Sequence, residues 1–268
     1  MTSLSFRLSR VVLAAGLLTG LVVGVGCGAQ PDDELEELEF REDTTARKGS
    51  SFGYINNGLH DPELSGLDPA YSLALQGLEG SRLDSPDRLA TAVYAVECAL
   101  PAGERVTKIV DGESVDFEGA LGLAPEWAEG PCDTDCQEWV SACLLARTNV
   151  SEQEVELWLQ ADHPALGFDS SPDYPTYEAS FFGNLFSGPD HEYVCPSSTL
   201  VGPLLAQLQG RTCSSAIGGC EFSSYTGCEL HRCSFVGLLQ PTAVGCRAGL
   251  LPSGPRLNTI STYVAAPL

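Results

Sequence analysis

The 268-residue sequence is short of positive charge. It has 14 lysines and arginines against 36 aspartates and glutamates, for a formal net charge of −22. A chain so poor in lysine and arginine is repelled by phosphate, which excludes nucleic-acid binding. Long apolar runs are also scarce: the one such stretch is residues 11–26, which excludes an integral membrane bundle. No C-x-x-C pair occurs, so neither a thioredoxin-like redox centre nor the paired knuckles of a strong zinc signal is present. Histidine, the commonest catalytic base, occurs only four times, at His60, His163, His191 and His231. What is not scarce is cysteine, with eleven in the chain, and apolar side chains at an ordinary 43%. The apolar content is enough for a real core in one good-sized domain with tails.

The N-terminus reads as an address. Arg7 and Arg10 precede the uncharged run VVLAAGLLTGLVVGVG, which ends on Gly26 directly before Cys27. A basic head, a short apolar segment and small residues at the exit make a signal peptide over residues 1–26. The string VGVGC resembles the lipobox of bacterial lipoproteins, with Leu21 and Gly26 fitting the pattern and Gly24 standing where that family favours leucine. The resemblance implies cleavage before Cys27 and acylation of its sulfur. It implies a mature chain held on the membrane by N-terminal acyl chains, at the outer membrane or cell surface, or else a periplasmic or secreted one. Setting Cys27 aside leaves ten cysteines, an even number that an oxidising compartment can pair completely. Removing the two leader arginines gives a mature charge of 12 − 36 = −24.

Residues 30–51, QPDDELEELEFREDTTARKGSS, carry eight acids and four apolar side chains and read as a solvated tether. The loose echo NGL, SGL and QGL at 57–59, 65–67 and 76–78 is too irregular for a repeat array; it extends a lead-in over residues 27–84. Order is expected from Ser85, so that residues 85–268 form one domain. Ser85-Pro86-Asp87 is a helix start with its cap, first-position proline and first-turn acid. VTKIV at 106–110 and VDFEGALGL at 115–123 flank Asp111-Gly112 as a hairpin. A second helix follows Pro131, with Thr134 and Gln137 in a capping-box pattern. Within it, Cys136 and Cys143 lie about 10 Å apart along the axis, too far for one disulfide, so each must reach another element. Strands are expected at 155–160, 177–186, 192–195 and 259–266, and a short helix at 200–209. Helices and strands do not alternate regularly. The expected class is therefore α+β: a small antiparallel sheet, two or three helices, and a loop-rich, disulfide-stapled C-terminal part.

The disulfide candidates are Cys98, Cys132, Cys136, Cys143, Cys195, Cys213, Cys220, Cys228, Cys233 and Cys246. Cys220, Cys228, His231 and Cys233 are the best metal set, because zinc takes cysteine and histidine tetrahedrally, but in an exported chain these thiols are expected as staples. Asp133, Asp135 and Glu138, or Asp169 and Asp173, offer oxygen ligands to calcium, without the order of acids and glycine of an EF-hand. GSSFG at 49–53 has the G-x-S-x-G form with Ser51 as nucleophile, but neither the strand before it nor the helix after it that this chemistry needs. His163 and His191 lie beside acids without a recognisable nucleophile, and Asn149-Val150-Ser151 is a glycosylation sequon with no weight behind a bacterial leader.

GALGLAPEWA (119–128), QEWVSACLLARTN (137–149), HPALG (163–167) and FFGNLF (181–186) resemble an uncharacterised family of exported, cysteine-rich lipoproteins of Gram-negative bacteria, over roughly residues 92–195. The resemblance implies export and a shared domain, and carries no catalytic residues. Trp139, Leu144 and Leu145 read as core and Gly183 as a tight backbone point. The expectation is a lipid-anchored envelope protein acting as a non-catalytic binding module toward a protein or glycan, with no cofactor or resident metal. The alternatives are a secreted hydrolase using His163 or His191, and a metal-binding envelope protein.

Overall fold

The computed structural model describes residues 54–60, 62–149, 154–188, 191–196, 224–225, 227–237, 242–248 and 254–265. Cys27, the leader, the tether, Ser51, Cys213, Cys220 and the helix expected at 200–209 lie outside the described residues. Ordered structure begins well before Ser85, with strand β1 (Tyr54–Asn56) paired into the main sheet. The NGL, SGL and QGL triplets are core anchors: Leu59, Leu67 and Leu78 are all buried, and Leu67 bridges Leu78. Each glycine-leucine pair lets a polar loop drop one leucine inward, which leaves no helical or strand period to read. At Gly77 a Cβ would lie 2.4 Å from the Tyr71 carbonyl oxygen, so only glycine fits.

Helix α1 (Pro86–Ala99) starts as its sequence dictates, with the Ser85 hydroxyl accepting from the Arg88 N–H. Strands β2 (Arg105–Val110) and β3 (Glu113–Glu118) form the expected hairpin, with Asp111 and Gly112 both at positive φ (51° and 87°), as a type I′ turn requires. They stand apart as a two-stranded ribbon packed on α1.

Helix α2 (Thr134–Arg147) is capped one residue earlier than the capping-box pattern indicates. The Asp133 carboxylate accepts from the Cys136 N–H at 3.1 Å, and the Gln137 amide turns back to the Cys132 carbonyl at 2.8 Å. An anionic cap favours the positive helix end more than a hydroxyl does. Ten of the 14 residues of α2 are buried, because it lies between α1 and the sheet.

The remaining strands are β4 (Glu156–Ala161), β5 (Thr176–Gly183), β6 (Glu192–Pro196), β7 (Ser224–Tyr225), β8 (Ser234–Val236), β9 (Thr242–Val244) and β10 (Thr259–Val264). The main sheet has the order β1-β4-β10-β5-β6-β7, antiparallel throughout except for the parallel β6–β7 pair. With its antiparallel core, two long helices and separate ribbons, the molecule is α+β. Leu157, Leu159, Ile260 and Phe181 face α2 in the main core. The opposite sheet face is covered by the β8–β9 hairpin, where Ala243, Phe182, Cys195 and Cys246 make a second cluster. Both faces being covered, all six residues of β10 are buried. Gly183, at φ +156°, approaches the His191 carbonyl so closely that a Cβ would sit 2.0 Å from its oxygen. Among the described residues no helix is long and apolar enough to cross a membrane.

Among the described residues, four disulfides hold these parts. Cys98–Cys143 ties α1 to α2, Cys195–Cys228 ties β6 to the loop before β8, and Cys233–Cys246 closes the β8–β9 hairpin. Cys136 and Cys143 do not pair with each other, as the helix geometry requires. Only Cys143 reaches another element, however; Cys136 closes on Cys132, immediately before its own helix.

Candidate functional site

Strand alternation sends one set of side chains from β1, β4, β10 and β5 to the face away from α2. The register sets Tyr54 opposite Trp158, Trp158 opposite Tyr263, and Tyr263 opposite Tyr177, an aromatic row across four neighbouring strands. The inner half of the row is closed over. Tyr263 is fully buried, with its hydroxyl 2.8 Å from that of Thr242, and Tyr177 meets the Ser180 hydroxyl at 2.6 Å. Burial pushes both phenols above their ordinary range. A parallel polar row, Gln160, Ser261 and Ser180, lies beside it, Thr242 donating to Gln160 and Ser180 pairing with Ser261 at 2.6 Å.

The outer half of the row is open. Tyr54 is 40% exposed and Trp158 partly exposed. The loop between β4 and β5 supplies Tyr174, whose ring is nearly parallel to that of Trp158 (17°, centroids 6.5 Å apart) and edge-on to that of Tyr54 at 6.1 Å. Glu156 fixes both phenols: one carboxylate oxygen accepts from Tyr54 and the other from Tyr174, the latter at 2.9 Å. The Trp158 indole N–H donates to the Asp169 carbonyl at 2.7 Å. Burial and the Glu156 carboxylate together raise the Tyr174 phenol far above its usual range, so it stays a neutral donor. Sequence reading placed Trp158 on a strand but missed this corner, because Tyr54 and Tyr174 reach it from the lead-in and from a loop. The alternation Glu156, Trp158, Gln160 on one strand was the available signal.

Of the set Cys220, Cys228, His231 and Cys233, Cys220 lies outside the described residues, and Cys228 and Cys233 are staples, as expected. The sulfurs of Cys195, Cys228 and Cys233 lie within 4.8 Å of one another, with Cys195 and Cys233 4.0 Å apart. The thiols needed for coordination are taken up in Cys195–Cys228 and Cys233–Cys246. His231 is fully buried, its Nδ1 3.1 Å from the Arg247 carbonyl and its ring against Phe182 and Tyr193. Of the calcium candidates, Asp133, Asp135 and Glu138 are engaged within the fold. Asp133 caps α2, while Asp135 and Glu138 hold Asn258 at the start of β10 by its side-chain amide (2.9 Å) and backbone N–H (3.0 Å). Burial raises the Glu138 carboxyl above its usual range.

His163 packs on Trp139, its Nδ1 accepting from the Ala165 N–H at 3.1 Å. Burial lowers its pKa below the ordinary value. A shallow cleft beside it is lined by Trp139, Asp162, Gly245 and Asn258. His191 is exposed beside the Gly188 carbonyl.

One buried polar cluster left no trace in the sequence. Arg147, only 3% exposed at the end of α2, pairs with Glu97 at 2.6 Å, lies 3.8 Å over the Tyr94 ring and donates from Nε to the Asn56 carbonyl at 2.8 Å. Asn57 accepts from Asn149 and from the Val155 N–H, both at 2.9 Å. These bonds tie β1 to α1 and α2.

Fold and surface together define a disulfide-stapled α+β domain with one open aromatic corner. No protein-family description, curated protein or solved structure matches the chain.

Proposed function

We propose that the chain is an exported protein of the cell envelope, acylated on Cys27, whose stapled domain acts as a non-catalytic binding module. The observation that carries this reading is the state of the cysteines: all eight described ones lie in disulfides, the condition of an oxidising compartment. The leader-like N-terminus and the cysteine at its end supply the anchor. The binding role is supported by the open corner at Tyr54 and Trp158, backed by the buried Tyr174, whose rings are held in place by hydrogen bonds. The hydrolase alternative has less support, since the His163 Nδ1 already accepts from the Ala165 N–H. The test is the intact mass of the protein taken from its own membranes and alkylated with and without prior reduction. A chain starting at Cys27 with acyl mass, and ten thiols appearing only after reduction, is the expected result. An unlipidated chain, or thiols that alkylate without reduction, overturns it.

A further inference from the structure

We propose that the two bridges under the β8–β9 hairpin form a redox-driven exchange pair: once a dithiol reductant opens Cys233–Cys246, the Cys233 sulfur takes over Cys195 and releases Cys228. This goes beyond the binding-module reading and does not depend on it. Proximity, access and the leaving sulfur each support it.

The sulfurs of two bridges meet at one point. Cys233 Sγ lies 4.0 Å from Cys195 Sγ, and the sulfurs of Cys195, Cys228 and Cys233 are within 4.8 Å of one another. Exchange requires a thiolate at a disulfide sulfur, and a group held beside its target reacts as if at very high concentration. Among the described residues, neither Cys98–Cys143 nor Cys132–Cys136 has a third cysteine sulfur so placed. The Cys233 N–H also donates to the Cys228 carbonyl at 3.2 Å, so the turn keeps both residues together whether or not the hairpin bridge is closed.

Access sets the order of events. Cys233 is partly exposed, whereas Cys195, Cys228 and Cys246 are buried. A thiolate of the dithiol attacks Cys233 Sγ, and Cys246 leaves with the electron pair of the broken S–S bond. The second sulfur of the reductant then attacks the first, closing a cyclic disulfide and freeing the Cys233 thiolate. Cys233 attacks Cys195 Sγ: the Cys195–Cys233 bond forms, the Cys195–Cys228 bond breaks, and Cys228 leaves as a thiolate. The two protons of the dithiol end on Cys246 and Cys228. The dithiol is oxidised and one bridge is reduced, and the last stage moves a bond with no net oxidation.

The leaving sulfur has a donor beside it. The Tyr177 hydroxyl lies 3.5 Å from Cys228 Sγ, and a bridged sulfur has no proton, so the phenol is the donor. Burial pushes the Tyr177 pKa upward and keeps that proton in place. A donor at the departing sulfur stabilises its negative charge. The exchange ties β6 directly to the start of β8 and unties the two ends of the hairpin. Its second strand is the one whose Thr242 and Ala243 bond Tyr263 and Ser261 of β10.

The test treats the purified full chain with limiting dithiothreitol, traps thiols with iodoacetamide at intervals and maps the bridges by mass spectrometry of acidic, non-reduced digests. The expected product carries a Cys195–Cys233 bridge with Cys228 and Cys246 alkylated. Cys246→Ser, which leaves Cys233 without its partner, should divide the resulting thiol between Cys233 and Cys228. Tyr177→Phe should slow the appearance of the Cys195–Cys233 bridge about 3- to 10-fold, with thermal melting recorded for each variant. A thiol confined to Cys233 in Cys246→Ser overturns the proposal. So does a native chain that passes from intact to reduced bridges with no Cys195–Cys233 product. Bridges from Cys195 to Cys213 or Cys220 also overturn it, as the mark of unspecific reshuffling. If Cys246→Ser fails to fold, the time course of the native chain decides alone. The mass measurement above judges export and anchoring separately.

Discussion

Single residues in this domain carry consequences through where they are buried. His163 is held neutral by burial against Trp139, below its ordinary value of 6.5. The unfolded chain therefore takes up a proton that the folded one does not. This contribution to stability is complete above about pH 6.5 and is lost as pH falls from there toward the folded pKa. Urea titrations at pH 7 and pH 5.5 should show the midpoint falling at the lower pH, and His163→Gln should reduce that fall. Arg147 gives the complementary case. Arg147→Ala removes an ion pair, a ring contact and a backbone hydrogen bond together, and leaves Glu97 beside an emptied site. A loss of about 3 kcal/mol is expected from denaturant unfolding. Trp139 and Leu145 behave as their apolar character indicates, as simple core.

Secondary-structure elements were legible where local chemistry decides them. Ser85-Pro86, Asp111-Gly112 and the alternation through Trp158 each named a start, a turn or a strand that the structure contains. The lead-in was not legible, because Leu59, Leu67 and Leu78 are buried singly from loops, and a single leucine has no period. The candidate site was hidden for a related reason: its residues come from β1, β4 and a loop, and only long-range pairing brings them together. Disulfides follow the same division. Helix rise ruled out Cys136–Cys143, but the choice of Cys98 as partner is tertiary. Loop length separates the bridges in energy. Replacing Cys98 and Cys143 by alanine opens a closure spanning 45 residues, whereas Cys132–Cys136 spans 4. The first change should cost about 4 kcal/mol and the second about 2 kcal/mol, readable as different shifts in thermal midpoint.

At the scale of the whole molecule, two covered sheet faces and the four bridges among the described residues make a domain stabilised by cross-links as well as by burial. The main core between α1, α2 and the sheet is apolar. The smaller cluster under the β8–β9 hairpin is sulfur-rich, with two of its bridges in van der Waals contact. The acids are largely on the outside, and the buried carboxylate of Glu178 accepts from the Thr262 hydroxyl at 2.8 Å. The central strand of the sheet, β10, also comes last in chain order among the described strands. Until residues 259–264 arrive, β4 and β5 have no common neighbour, and each presents a row of unmatched peptide groups. Closure of the sheet thus waits on a segment about a hundred residues downstream of β4, and the two half-sheets join only when residues 259–264 insert between them.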